Sequence, residues 1–548
     1  MNDVELRLLN SLAKVFPHKS PPAEAEKIMI SALRGETVSV QAAYLYKENG
    51  HRSWARFTVD APPGVNFSAR LVRYMPGFIS SNFRTDDGYL NEKGLFPDLL
   101  EPFETNRLPL VPGIWQCVWV SFEVDKNAAS GTYPIGIKLE RRDGGIMAAG
   151  EIDLEVIALE LPPLDIPHTR WLHADCLAEY YGVRVFSERH WEIIENFVSY
   201  AVKHGINTIL TPIHTPPLDT EISGERLTVQ LIDVTVNGDG DFIFDFGKLE
   251  RWVSMCRRVG IEYFEMAHLF TQWGAKHAPK IMGTKNGVYT RLFGWETDAA
   301  GGEYTRYLEQ MLPALTVKLR EWGIAEKTFF HISDEPGIKH LEAYTAAQNI
   351  VRPLLEGFKI VDALSDYEFY EKGAVSVPVP AVDYIEPFLK GNVRELWCYY
   401  CCVQSYKVPN LFFMQPSYRN RIIGVLLSKY NLFGFLHWGY NFYNCVHSVY
   451  PVDPFRITDA DGAFPSGDAF IVYPGADGHP LASQRLMVAL EAFNDLRALK
   501  LLEGIIGRER VLGLIEEGLD EPLSFTCFPQ NEEYLLTLRR KVNGLIDN

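Results

Sequence analysis

The feature that most constrains the fold is a unit that recurs four times after residue 165. A helical run ends in glycine, and the next residue is apolar and opens toward a strand: Gly205-Ile206, Gly260-Ile261, Gly323-Ile324 and Gly357-Phe358. Glycine is the favoured residue just past a helix C-terminus. Repeated βα units call for a parallel sheet, and this many in one stretch predict a (β/α)8 TIM-like barrel. A doubly wound open sheet is the alternative, but no glycine-rich phosphate loop follows any strand. The expected strands centre on 171–175, 208–211, 264–268, 329–333, 360–364, 381–384, 396–400 and 434–438, with a hairpin-like insertion around 229–246.

The first 165 residues have a different texture. After a short start read as helical, they alternate with period two, most clearly at Val118-Trp119-Val120-Ser121-Phe122-Glu123-Val124 and Ile135-Gly136-Ile137-Lys138-Leu139. With a turn signal between them, these two runs read as a hairpin of a β-sandwich. The Pro-rich 161–167 is a linker. The expected organisation is multidomain, α/β plus all-β: a sandwich over 1–165, a barrel over 166–465, and a C-terminal helical segment, 466–548, packed on the barrel. That segment is read as ending in a short strand, Glu533-Tyr534-Leu535-Leu536, and a helix.

Composition narrows the function classes. At 548 residues the chain is too long for one ordinary core. Fifty-three basic against 70 acidic residues give −17, which opposes binding to nucleic acid or anionic membranes. Cys398, Cys401 and Cys402 cluster, but no second pair stands at zinc spacing. The first 16 residues carry no basic region followed by an apolar core, so a cytoplasmic protein is expected.

Chemistry concentrates at Ser333-Asp334-Glu335-Pro336-Gly337, which follows the apolar run 328–332. Pro336 cannot continue a strand ladder, so two adjacent carboxylates sit where a strand stops. Ligands of α/β barrels bind at the carboxyl ends of strands. Asp334 could instead only cap the following helix. Other expected strand ends are also polar and aromatic. They offer Trp171, His173, Asp175, His214, His268, Asp366, Tyr367, Trp397, Tyr399, Trp438, Tyr440 and Asn441 as substrate-binding candidates. Flat aromatic faces pack on sugar C–H faces, and carboxylates and amides bind hydroxyls. No Gly-x-Ser-x-Gly elbow, Walker loop or His-Glu-x-x-His is present.

The segment His331-Ile332-Ser333-Asp334-Glu335-Pro336, the preceding sandwich and the tail Gly467-Asp468-Ala469-Phe470-Ile471-Val472-Tyr473-Pro474-Gly475 resemble the family 123 glycoside hydrolases and their uncharacterised relatives. The tail's usual acidic-aromatic helix is matched only partly, by Glu491-Ala492-Phe493-Asn494-Asp495-Leu496-Arg497. The resemblance implies a retaining β-N-acetylgalactosaminidase acting on glycan or glycolipid ends. Glu335 would be the general acid/base, and Asp334 would orient the 2-acetamido group. No cofactor and no metal are expected, and the partner is a glycan or glycoconjugate substrate. Two alternatives stay open. One is a retaining glycosidase with Asp175 or Asp366 as nucleophile on a sugar lacking the acetamido group. The other is a non-catalytic carbohydrate-binding protein.

Overall fold

The computed structural model describes residues 3–23, 27–47 and 52–547. The chain forms two compact units. One takes 1–164, 405–431 and 481–548; the other takes 165–404 and 432–480. Among the described residues, no helix is long and apolar enough to cross a membrane.

The first unit holds two five-stranded sheets. One contains Val4–Asn10, Thr37–Tyr46, Trp115–Val124, Val65–Gly77 and Gly94–Pro102. The start of the chain is therefore a strand and not a helix: Val4–Asn10 pairs antiparallel with Thr37–Tyr46, and its Val4 and Leu8 enter the core. Tertiary pairing overrides local preference here. Nor do the two strongest alternating runs form a hairpin. Trp115–Val124 lies in one sheet and Gly131–Glu140 in the other, beside Ile146–Glu160 and Ser53–Asp60. Each run has one apolar face. Val118, Val120 and Phe122 meet Ile135, Ile137 and Leu139 in one core, which needs opposed sheets.

The C-terminal helices, expected against the barrel, belong to this first unit. Gln484–Ile506 packs along Tyr418–Lys429. Buried Arg421 pairs with Glu491 at 2.8 Å and Asp495 at 2.7 Å, and Arg539 joins Asp495 at 2.9 Å to Glu36 at 2.6 Å. The run 533–536, read as a strand, opens the helix Glu533–Asp547. Leu535, Leu538, Val542 and Ile546 recur at helical spacing and bury one face.

The second unit is a parallel eight-stranded barrel: β1 His168–Arg170, β2 Thr208–Thr211, β3 Tyr263–Met266, β4 Thr328–Phe330, β5 Lys359–Ala363, β6 Val377–Val379, β7 Trp397–Tyr399 and β8 Gly434–His437. The pairing order is β6-β5-β4-β3-β2-β1-β8-β7. The remaining seam is bridged by Ala381 and Tyr399, so the barrel nearly closes. Two strands lie elsewhere than expected. β1 ends before Trp171, and Ala174–Tyr180 is a helix with Asp175 in its first turn. β6 precedes the expected 381–384. Pro378 sits within this three-residue strand, which pairs along β5 and ends the pairing order. The insertion after β2 forms Asp233–Val236 and Phe242–Asp245, extended by Ile281–Lys285 and Val288–Phe293 into a four-stranded sheet.

Candidate active site

β4 stops at Phe330, and residues 331–335 leave the ladder pinned on both sides. Leu269 and Phe270 donate backbone N–H bonds to His331 O and Ile332 O, both at 3.0 Å. Ser333 Oγ donates to Thr271 O at 2.8 Å, and Ile332 N–H donates to the Asp362 carboxylate at 2.9 Å. Trp273 N–H holds Asp334 O at 2.9 Å, and Glu335 N–H reaches Ala363 O at 3.1 Å. Strand alternation would point the two acids apart. Glu335 instead adopts φ +45°, a left-handed conformation uncommon for a non-glycine residue, and both acids line one pocket. Asp334 is not the cap of the following helical turn, whose N-cap residue is Gly337. The backbone N–H of Ile338, at the start of the next helical turn, donates instead to Asp366 at 2.6 Å.

The pocket's electrostatics favour retention of a proton. Burial, and then repulsion from Glu335, push the Asp334 carboxyl well up. Burial also raises Glu335, opposed by hydrogen bonds from Tyr399 and Cys401 and reinforced by Asp383. Tyr399 Oη donates to Glu335 Oε1 at 2.6 Å, and Cys401 Sγ lies 3.9 Å from the same oxygen. Both half-buried carboxyls are thus pushed toward keeping a proton, and the charge of each opposes ionisation of the other.

Behind Trp171 lies a buried charge cluster. The His331 ring stacks on His268 with centroids 4.5 Å apart. His331 Nε2 is 3.3 Å from Glu265, and Nδ1 is 3.5 Å from Asp362. Burial alone would depress this histidine. The hydrogen bonds with Asp362 and Glu265 outweigh it and push its pKa up to about 9. Among the described residues, one group could gather a metal ion: His268, His331 and Asp362, with ligating atoms within 4.8 Å of one another.

The family profile described as glycoside hydrolase 123, catalytic domain, matches residues 171–502. The chain belongs to glycoside hydrolase family 123. The structure of a family 123 glycoside hydrolase from Clostridium perfringens, solved to detail glycolipid glycan hydrolysis, is similar at TM-score 0.73 and 15% identity. That match covers 99% of this chain and 98% of that one. A family 5 mannosidase from Rhizomucor miehei matches at TM-score 0.31 and 10% identity, covering 61% of this chain and 94% of its own. An endo-β-1,4-glucanase from Xanthomonas axonopodis pv. citri matches at TM-score 0.31 and 13% identity, covering 55% and 90%. No curated protein matches.

Of the residues singled out in the sequence, this family 123 hydrolase brings Trp171, Asp334, Glu335, Tyr399 and Trp438 together around the pocket. Trp438 Nε1 donates to Asp468 of the tail motif at 2.9 Å. Gly439 lets that motif approach: a Cβ there would stand 2.4 Å from Asp468 O and 2.6 Å from Ala469 O.

The other candidates do not line the pocket. Asp175 is buried against Arg226, with both oxygens engaged at 2.7 and 2.8 Å. His173 lies beside that pair, and burial, then Arg226, depress it to about 3. His214 donates to His268 O at 2.6 Å, and its pKa is depressed to about 4 by burial. Tyr440 Oη donates to Phe197 O at 2.9 Å, and Asn441 clamps the His173 backbone in both directions. Trp397 fills the barrel interior against Phe329. Tyr367 packs edge-on to Phe388.

Sequence reading missed Asp219, Gln272, Trp273, Cys402 and Phe464, all pocket-lining. Trp273 carried a signal, since the polar-aromatic run continues past His268 through Thr271-Gln272-Trp273. Asp219 carried none. It lies in a loop beyond β2.

Proposed function

We propose that the chain removes a terminal β-linked N-acetylhexosamine, N-acetylgalactosamine in the first instance, from a glycan or glycolipid end by a retaining, substrate-assisted mechanism. The observation that carries this reading is the opening of two sequence-adjacent carboxyl groups into one aromatic pocket. Ordinary retaining enzymes set two carboxyls about 5–5.5 Å apart on opposite sides of the scissile bond. Neighbours in sequence are poorly placed for that. A substrate that supplies its own nucleophile removes the need. Asp175 and Asp366, the nucleophiles considered for a double displacement, are engaged with Arg226 and Ile338.

The acetamido oxygen attacks the anomeric carbon as the glycosidic bond breaks. Glu335 passes its proton to the leaving oxygen. Tyr399 occupies Oε1, which leaves Oε2 for that transfer. Asp334 accepts a hydrogen bond from the acetamido N–H, and its negative charge stabilises the oxazolinium-like intermediate. The same N–H favours the ionised form of Asp334, and the charge of that carboxylate in turn favours the protonated form of Glu335. Glu335 then takes a proton from the water that opens the ring.

Hydrolysis of paired nitrophenyl β-glycosides, with and without the 2-acetamido group, tests the reading. Expected is turnover of the N-acetylgalactosaminide with little or none of the galactoside. Equal turnover of both would remove the acetamido group from the mechanism.

A further inference from the structure

We infer that Asp219 is a specificity-determining residue whose carboxylate receives hydroxyl groups of the terminal sugar held over Asp334 and Glu335. The inference rests on the reading of this pocket as a glycosidase site.

Among the described residues, the pocket wall carries three carboxyl groups, Asp219, Asp334 and Glu335, and no basic side chain. The Asp219 side chain is 14% exposed. Burial raises its pKa, against the hydrogen bond from the His447 backbone. A carboxylate offers about four acceptor positions. Here Oδ2 accepts the His447 N–H at 2.8 Å, and Oδ1 faces His447 Nδ1 at a loose 3.6 Å. The remaining capacity lies at the pocket surface. Hydroxyl donors of a neutral sugar fill it without adding charge beside the catalytic pair.

The placement is costly and deliberately held. Asp219 stands at φ +39°, and Trp273, Glu335, His447 and Ser448 around it are left-handed too, at +58°, +45°, +60° and +55°. Strain of this kind persists only where the surroundings over-determine it, and it gathers at functional sites. Asp219 N–H donates to Gln272 Oε1 at 2.6 Å, and its carbonyl accepts from Ser448 Oγ at 2.7 Å. Buried Arg226, fixed by Asp175, donates to the preceding carbonyl of Leu218 at 3.0 Å. Asp175 thus acts through Arg226 to position this loop. Beside the carboxylate, Trp273 is 39% exposed and offers an aromatic face.

The test pairs substrate and protein changes. Nitrophenyl N-acetyl-β-galactosaminide and its 3-, 4- and 6-deoxy forms are compared on native protein and on Asp219→Asn. A hydrogen bond to a charged group is worth about 1.5–3 kcal/mol, roughly 10–150-fold. Expected is a loss in kcat/KM of that order, mainly in KM, for one deoxy sugar on native protein and for the parent sugar on the variant. For that deoxy sugar the variant should lose less than about threefold more. A merely structural role would leave the two losses multiplying for all three deoxy sugars, and that result overturns the proposal. So does a native protein indifferent to every deoxy sugar, a result that needs no variant. A covalent fluorosugar adduct on Asp219 would make it a nucleophile and also overturn it. Should native protein prefer the galactoside, only the acetamido-dependent reading fails, and the same comparison runs with deoxy galactosides. Asp219→Ser serves as the second variant if the amide fails to fold.

Discussion

Glu335→Gln is expected to keep the fold and to lower kcat on a natural glycan about 10²–10⁴-fold, the range that general acid catalysis supplies. The amide is nearly isosteric, and its oxygen can still accept from Tyr399 Oη. The backbone at φ +45° is held by the bond to Ala363 O, which the substitution leaves in place. What disappears is the proton. A nitrophenyl leaving group needs little protonation, so its loss should be the smaller of the two. Steady-state kinetics on both substrate types, with melting temperatures as the fold control, checks this. Unchanged turnover of the glycan would remove Glu335 from the mechanism.

Asp334→Asn is expected to reduce kcat on acetamido substrates roughly 10–150-fold, the value of one hydrogen bond to a charged partner, with KM little altered. Positive charge develops on the acetamido group only as its oxygen attacks, so the bond from N–H to carboxylate strengthens in the transition state. Position should survive, because Trp273 N–H holds the Asp334 carbonyl and not its side chain. A fall confined to KM would make Asp334 a ground-state contact only.

Much of this was legible in the sequence because the signals were local. The helix-Gly-strand units gave the barrel, and Asp334-Glu335 marked the end of its fourth strand. Tyr399 and Trp438 could be placed by their position at strand ends. Asp175 misled for a local reason as well. It was counted along a strand that in fact stops at Arg170, and in the helix that follows its charge is absorbed by Arg226, 51 residues on. Asp366 and Tyr367 follow β5, yet they serve a helical turn and a packing contact. Asp219 and Phe464 could not be read, since each lies in a loop, one after β2 and one after β8, that reaches the pocket by tertiary contacts no periodicity encodes. The sandwich itself was legible, but the hairpin expected within it was not. Its alternating runs were plain, but whether adjacent runs pair or face each other depends on the shared core.

The central claim is that the substrate's acetamido oxygen, and no protein carboxylate, attacks the anomeric carbon. The most direct measurement is the affinity of a thiazoline analogue of the cyclised sugar, taken with mass spectrometry of the protein after exposure to an activated 2-fluoro galactoside. Expected is competitive inhibition by the thiazoline well below the substrate KM, weaker in Asp334→Asn, with no adduct on the protein. A thiazoline that does not bind, together with a fluorosugar covalently attached to Asp175, Asp219 or Asp366, would contradict the substrate-assisted mechanism.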